Sequence, residues 1–176
     1  SIGGKIAVPH LLPYVASKFA LVGLSEGMRA ELAKDSIYVT TVCPGLMRTG
    51  SHLNAFFKGQ HKKEFALFSI ANASPLLSTT SAEAAQQIIE ACRYGKAEII
   101  ITPQARLAHL VSRVFPSLVA ESMSLLNWLL PNARGADARE LKRGWESRSI
   151  LTPSFLTKAA DNAAASNKEE PHRPAS

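Results

Sequence analysis

Only two cysteines, Cys43 and Cys92, occur in 176 residues. Two cannot build a disulfide framework, and neither has a metal-ligand partner at a useful spacing. No metal site is expected. Both read as buried thiols in a reducing, cytoplasmic compartment. Aromatic residues make up 7% of the chain and nowhere interleave with a basic stripe. The formal charge of +6 is diffuse: residues 1–130 carry twelve Lys and Arg against eight Asp and Glu, and residues 131–176 carry eight against six. Nucleic-acid binding is therefore not expected, and Lys58, Lys62 and Lys63 read as a solvated helix face. No Gly-x-Ser-x-Gly elbow is present, which leaves a hydrolase built on Ser1 with His10 or His52 as a poor reading. No Gly-rich turn follows a strand, and no internal repeat is evident.

What the chain does have is 46% hydrophobic residues, enough for a core, in a length that suits one domain. It also has Tyr14-Val15-Ala16-Ser17-Lys18. Residues four apart stand on one helix face. An isolated Tyr titrates near about 10, so service as a base near pH 7 needs a shift of roughly 3 units, or about 4 kcal/mol. One positive charge at about 4 Å, in an effective dielectric of about 20, supplies roughly that much. Lys18 is a perturbation of the right size. A surface Tyr beside a solvated Lys would match the same spacing, so the surroundings decide.

Those surroundings are specific. Ser1 lies thirteen residues before Tyr14. A β-branched run, Ile37 to Cys43, follows the helix and ends in Pro44-Gly45-Leu46-Met47-Arg48-Thr49. From Ser1 to about residue 105 this order of elements resembles the classical short-chain dehydrogenase/reductase family. The resemblance implies a doubly wound parallel-sheet α/β fold of Rossmann type, present here as its C-terminal portion. It implies NAD or NADP as coenzyme, with the preference unresolved. It assigns catalysis to Ser1, Tyr14 and Lys18, and coenzyme contacts to Tyr14, Lys18, Pro44, Gly45, Met47 and Thr49. The substrate would be a secondary alcohol or ketone. Members of the family open with a strand, a Gly-rich turn and a helix. This chain begins at the position of the serine, so the expectation is a fragment of a longer enzyme, inactive alone.

Residues 1–105 are expected to form that half-domain. Gly3, Gly4, Pro9 and Pro13 punctuate a loop, which in the family borders the substrate pocket, so His10 is a candidate substrate contact, with a partly exposed loop histidine as the open alternative. A helix is expected from Tyr14 to Lys34. Its small residues Ala16, Ala20, Gly23, Gly27 and Ala30 would allow close approach of a neighbour. Its apolar residues over much of the circumference require cover. The family often places the corresponding helix in a dimer interface, which implies a homo-oligomer through residues 14–34, with burial against its own sheet as the alternative. A strand over Ile37–Cys43 would be buried on both faces. Residues 50–78 read as one or two short amphipathic helices separated at Gly59, a region that in the family forms the substrate lid. Phe56 and Phe57 are candidate contacts to a small lipophilic carbonyl or alcohol substrate, with internal packing as the open alternative. Thr80-Ser81-Ala82-Glu83 reads as a capping box. The helix after it would bury Ala85, Ile88, Ile89 and Cys92 and stop at Gly95, and a strand would cover 98–102.

Residues 106–131 form an apolar helical extension, with Pro116 starting its second helix. Arg113 and Glu121 would each cost about 3 kcal/mol at a bilayer centre. A surface hairpin is therefore preferred to a span, with helix packing or an oligomer contact first and peripheral membrane contact through 106–130 second. Residues 132–176 read as a polar tail, anchored by Trp145, Ile150, Leu151, Phe155 and Leu156 and disordered from about 163. The competing functional reading is a truncated, non-catalytic binding module.

Overall fold

Apolar and long-chain residues favour helix from Leu12 onward, and α1 runs Leu12–Leu32. Pro13 sits in its first turn, where the missing N–H costs little. The computed structural model describes residues 1–131, 141–152 and 154–171. They form two compact units. One comprises Ser1–Gly45 with Ala82–Leu130, the other Leu46–Ser81 with the described residues of Pro131–Ser176.

In the first unit, α1 buries Val15 and half-buries Lys18, Val22, Ser25, Arg29 and Leu32, a single face at helical spacing. The small-residue stripe lies on the exposed surface, and a Cβ added at Gly23 or Gly27 would meet nothing within 4 Å. Ile2–Gly4, expected as loop, is a 3-10 turn packed against α1. Gly4 leaves no room for a side chain: a Cβ there would stand 2.7 Å from the Lys18 carbonyl oxygen.

Strand β1 covers Thr41–Pro44 and pairs in parallel with β5, Glu98–Ile101, in the register Thr41↔Glu98 to Pro44↔Ile101. It is shorter than the sequence suggests because its partner has only four residues. Residues 38–40 are held by side chains instead. Arg29 donates to the Val39 carbonyl (2.6 Å) and covers the exposed Tyr38 ring, and the Thr40 hydroxyl donates to the Lys96 carbonyl (2.8 Å). Before β5 comes α4, Ser81–Arg93, which starts where the capping pattern places it. Its buried residues are Ala84 and Ala91, while Ala85, Ile89 and Cys92 are exposed. The packed face is thus the one whose small side chains permit close approach, and the expectation of a buried Cys92 is overturned. Cys43 is fully buried. Gly95, at φ 57°, ends the helix: its N–H reaches the Cys92 carbonyl and the Lys96 N–H reaches the Ala91 carbonyl.

Thr102 caps α5 (Pro103–Val114) through its hydroxyl, and α6 (Pro116–Leu129) starts at Pro116 as expected. No residue of α6 is buried, and Leu118, Leu125, Trp128 and Leu129 face outward. Among the described residues, no helix is long and apolar enough to cross a membrane.

The second unit holds another parallel pair, β2 (Leu46–Arg48) with β4 (Ser78–Thr80). Between them lie α2 (Ser51–Asn54), β3 (Phe56–Lys58) and α3 (His61–Ala73), with Gly59 at φ 72°. Strand β3 pairs antiparallel with β6, Leu141–Arg143. A 3-10 turn (Gly144–Ser147) and α7 (Ser154–Ser166) follow. Leu53, Phe65 and Ala164 form the core, with Phe57 and Trp145 packed on it.

Disorder from about 163 is not what the structure has: α7 continues through Ser166, Ala160 and Ala164 are fully buried, and the helix packs on α3. Alanine is the best helix former and lets helices approach closely. Of the expected anchors, Trp145 packs while Ile150, Leu151 and Phe155 are exposed; the side chain of Leu156 and residues 172–176 lie outside what is described. Helices alternating with parallel strand pairs make this an α/β chain of Rossmann type.

Candidate functional site

Tyr14 and Lys18 occupy one face at the start of α1, which their spacing requires. The Lys18 ammonium stands over the Tyr14 ring, 5.3 Å from its centroid. Tyr14 is 44% exposed. Ser1 caps the 3-10 turn at Ile2–Gly4, its Oγ accepting from the Gly3 N–H at 3.1 Å. A Cβ at Gly3 would lie 3.1 Å from Tyr14 Cε1 and 3.4 Å from Ser1 Oγ. Both functional groups therefore border the same glycine. The Gly3-Gly4 pair allows this: a Cβ at Gly4 would strike the Lys18 carbonyl oxygen, and one at Gly3 would press tightly on the Tyr14 ring.

Beneath this corner lies the carboxyl end of β1. Burial raises the Cys43 thiol pKa above its usual range. The Gly45 N–H donates to the Ile101 carbonyl (3.0 Å), and a Cβ on Gly45 would meet the Thr102 hydroxyl and Ala105. Pro44 stands opposite Ile101 at the last rung of the pair. Close by, Lys5 joins Glu26 (2.9 Å) and Glu98. Burial pulls the Lys5 ammonium pKa down, but hydrogen bonds and charge from the two carboxylates outweigh it, and the net shift is upward. His10 has a positive φ of 64° and lies on the rim of an open groove of about 620 Å³ with Leu12, Pro13, Met123 and Asn127.

Met47, Thr49, Phe56 and Phe57 belong to the second unit. Met47 pairs with Thr79 in the β2–β4 ladder. The Thr49 hydroxyl lies 2.6 Å from the Ser51 hydroxyl and accepts weakly from the Ser51 N–H (3.3 Å). Phe57 meets Phe65 edge-on at 5.7 Å and belongs to the core, which is the packing alternative. Phe56 stays exposed, with the Arg143 guanidinium 4.9 Å from its ring centroid. So Ser1, Tyr14, Lys18, Pro44 and Gly45 share one unit, and Met47, Thr49, Phe56 and Phe57 the other.

The sequence reading missed a polar group around Thr49. His52 is fully buried; its Nδ1 lies 3.1 Å from the Thr49 carbonyl and its Nε2 3.0 Å from Asp161 Oδ1. His52 is three residues from Thr49, but Asp161 is 109 residues further on, and nothing local in the sequence connects them. Both ring nitrogens are engaged inside the second unit, so this histidine has no nitrogen left to serve as a base for Ser1. Among the described residues, no three His, Cys, Asp or Glu are grouped to hold a metal ion.

Comparison with known proteins points the same way as the motif. The family model described as short chain dehydrogenase matches residues 1–57. The dehydrogenase/reductase SDR family protein 7-like of Anopheles gambiae is 32% identical over 120 residues, covering 67% of this chain and 36% of the relative. The dehydrogenase/reductase SDR family member 7B of Bos taurus is 28% identical over 125 residues, covering 70% and 37%. A ketoacyl reductase of the granaticin polyketide synthase of Streptomyces violaceoruber is 49% identical over 49 residues, covering 28% and 18%. No solved structure matches. The chain spans about a third of the length of the Anopheles and Bos relatives. The ordered Ser, Tyr-x-x-x-Lys and Pro-Gly elements, the Rossmann-type fold and these matches together place the chain in the short-chain dehydrogenase/reductase family.

Proposed function

We propose that the protein is an NAD(P)-dependent oxidoreductase that interconverts a secondary alcohol and a ketone, with Tyr14 as the general acid and base. The observation that carries this reading is that Ser1 Oγ and the Tyr14 ring both border Gly3, with the Lys18 ammonium over that ring. Three groups suited to one proton-transfer task meet there at an open surface. The Tyr14 hydroxyl and Lys18 ammonium can hydrogen-bond the ribose hydroxyls of the coenzyme. The family resemblance assigns the nicotinamide carboxamide to the Met47 backbone and the Thr49 hydroxyl. When bound, the nicotinamide supplies or accepts the hydride. Tyr14 gives its hydroxyl proton to the substrate oxygen in reduction and takes it back in oxidation. Ser1 Oγ donates a hydrogen bond to that oxygen as charge gathers on it. Lys18 balances the phenolate left when Tyr14 has given up its proton.

Exposed Phe56 supports a lipophilic substrate, as do the apolar walls of the groove beside His10. Phe19, Leu24 and Met28, exposed along α1, support self-association through that helix, and the two free thiols suit a reducing compartment. The exposed leucines of α6 favour a second reading, an interaction module that uses this helix against a partner or a membrane surface.

The test is nicotinamide absorbance in the full-length protein, with NADH or NADPH and a panel of ketones graded in apolar length. Coenzyme oxidation that strengthens with chain length supports the reading. Coenzyme binding with no turnover of any carbonyl or alcohol would favour the interaction module.

A further inference from the structure

The short stretch from Thr49 to Asn54 is held from far along the chain. Three bonds come from α7 and the turn after it. Asp161 Oδ1 meets His52 Nε2 (3.0 Å), Glu169 Oε2 accepts from the Gly50 N–H (2.6 Å), and the Glu169 carbonyl accepts from Asn54 Nδ2 (2.8 Å). Gly50 makes the approach possible, since a Cβ there would stand 2.6 Å from the Glu169 carbonyl oxygen. The end of α7 is shaped for this. The Glu169 N–H reaches back to the Ala164 carbonyl (2.8 Å) and the Lys168 N–H to the Ala165 carbonyl (3.1 Å), while Lys168 sits at φ 57°. This is a Schellman turn with lysine where glycine is usual. It reverses the chain and delivers Glu169 to Gly50.

The other end of the network fixes Thr49. Asp161 accepts from Arg148 Nη2 (2.6 Å) and, through Oδ2, from the Thr157 hydroxyl (2.9 Å), besides meeting His52. A carbonyl oxygen can only accept, so His52 Nδ1 donates to Thr49. Asn72 Nδ2 donates to the same carbonyl (3.4 Å). The Thr49 peptide plane is thus pinned by a fully buried ring that is itself pinned by Asp161. If the Ser51 hydroxyl donates to Thr49 Oγ1 (2.6 Å), the Thr49 hydroxyl proton is left for a ligand.

We propose that Asp161 and Glu169 are positioning residues for the coenzyme: they clamp the 49–54 segment and so aim the Thr49 hydroxyl at the nicotinamide carboxamide. This rests on the proposed coenzyme role of Thr49. It gives the end of the chain a task in coenzyme binding. Removing either contact should weaken the hold on the nicotinamide ring specifically, because the group that the clamp positions is the proposed partner of the carboxamide.

The experiment is calorimetric titration of the full-length protein with the reduced coenzyme and, separately, with ADP-ribose, which lacks the nicotinamide. Asp161→Asn should raise the coenzyme Kd about tenfold and Glu169→Gln about threefold, with ADP-ribose affinity unchanged in both. Thr49→Val should weaken the coenzyme alone, and Glu169→Gln added to it should cause little further loss. If Thr49→Val leaves coenzyme affinity intact, the coenzyme reading of Thr49 fails. If Thr49→Val weakens binding but Glu169→Gln and Asp161→Asn do not, that reading stands and the clamp is overturned. Equal loss for coenzyme and ADP-ribose in the clamp variants would reduce them to general structural residues and overturn the proposal as well. Glu169→Gln keeps the shape and one acceptor oxygen at an exposed residue, so it remains informative should Asp161→Asn fold poorly.

Discussion

Polar side chains are placed oppositely in the two units. In the unit built from Ser1–Gly45 and Ala82–Leu130, Tyr14 is 44% exposed and Lys18 stands over its ring at the surface. In the unit containing Leu46–Ser81, His52 and Ser147 have no exposed surface, and Asn72 has almost none. An exposed polar group keeps its water and is available to a ligand. A buried one must find its partners within the fold, and its removal leaves those partners unsatisfied. Substitutions in the first set should therefore strike function and spare stability. Those in the second should strike stability first.

The largest effect is expected at Gly144. Any Cβ there would overlap the His52 carbonyl oxygen, and the Gly144 N–H donates to the Ala55 carbonyl at 2.8 Å. Gly144→Ala should cost more than about 4 kcal/mol in denaturant unfolding. A smaller loss would mean that this turn yields easily, which weakens the picture of a tightly closed unit. His52→Ala comes next, at about 3 kcal/mol, because it strips a buried partner from both Asp161 and the Thr49 carbonyl. By contrast Lys18→Met should change stability by no more than about 0.5 kcal/mol. Similar losses for His52→Ala and Lys18→Met would break the comparison.

Not every polar group of the first unit is exposed: Thr41 and Thr102 are buried, and Lys5 is tied to Glu26 and Glu98 with only 13% of its side chain exposed. Its pKa is raised in the fold, so its contribution is complete below the ordinary lysine value of about 10.4 and is lost as pH rises beyond it. Thermal unfolding followed from pH 9 upward should show a fall that is reduced in Lys5→Met. An identical fall in both proteins would remove Lys5 from the account.

The smallest effect separates two helix ends of the same design. Helices α4 and α7 both close in a Schellman turn, with Gly95 at φ 57° in one and Lys168 at φ 57° in the other. Lys168→Gly should gain about 1 kcal/mol and Gly95→Ala should lose about as much. Opposite signs are the expected result in calorimetric melting. The same sign for both would show that the left-handed backbone is not what governs these turns.

The contrast between the units also explains what could be read in advance. Elements of the first unit carry local signals: the Tyr14–Lys18 spacing, the Thr80–Glu83 start of α4, Gly95 as its stop, and Pro116 between α5 and α6. Spacing, caps and prolines act within a few residues, so sequence shows them. The buried face of α4 is not the one that its large apolar residues mark, because Ala84 and Ala91 suit close packing better than Ile89 and Cys92. The second unit depends on distant partners. Nothing near Phe56 announces Arg143 as its strand neighbour, and nothing near His52 announces Asp161. Helix α7 was hidden by its composition: Ala, Asn and Ser resemble a solvated tail until Ala160 and Ala164 find α3. Of the candidate site, Ser1, Tyr14 and Lys18 were legible by spacing, whereas the clamp on Thr49 was not.

The most direct test of the central claim is Tyr14→Phe in the full-length protein, measured with whichever carbonyl supports coenzyme oxidation. Turnover should fall by about a hundredfold or more while the coenzyme Kd and the unfolding midpoint stay near wild type. Turnover within about threefold of wild type would remove Tyr14 as the proton donor and contradict the account.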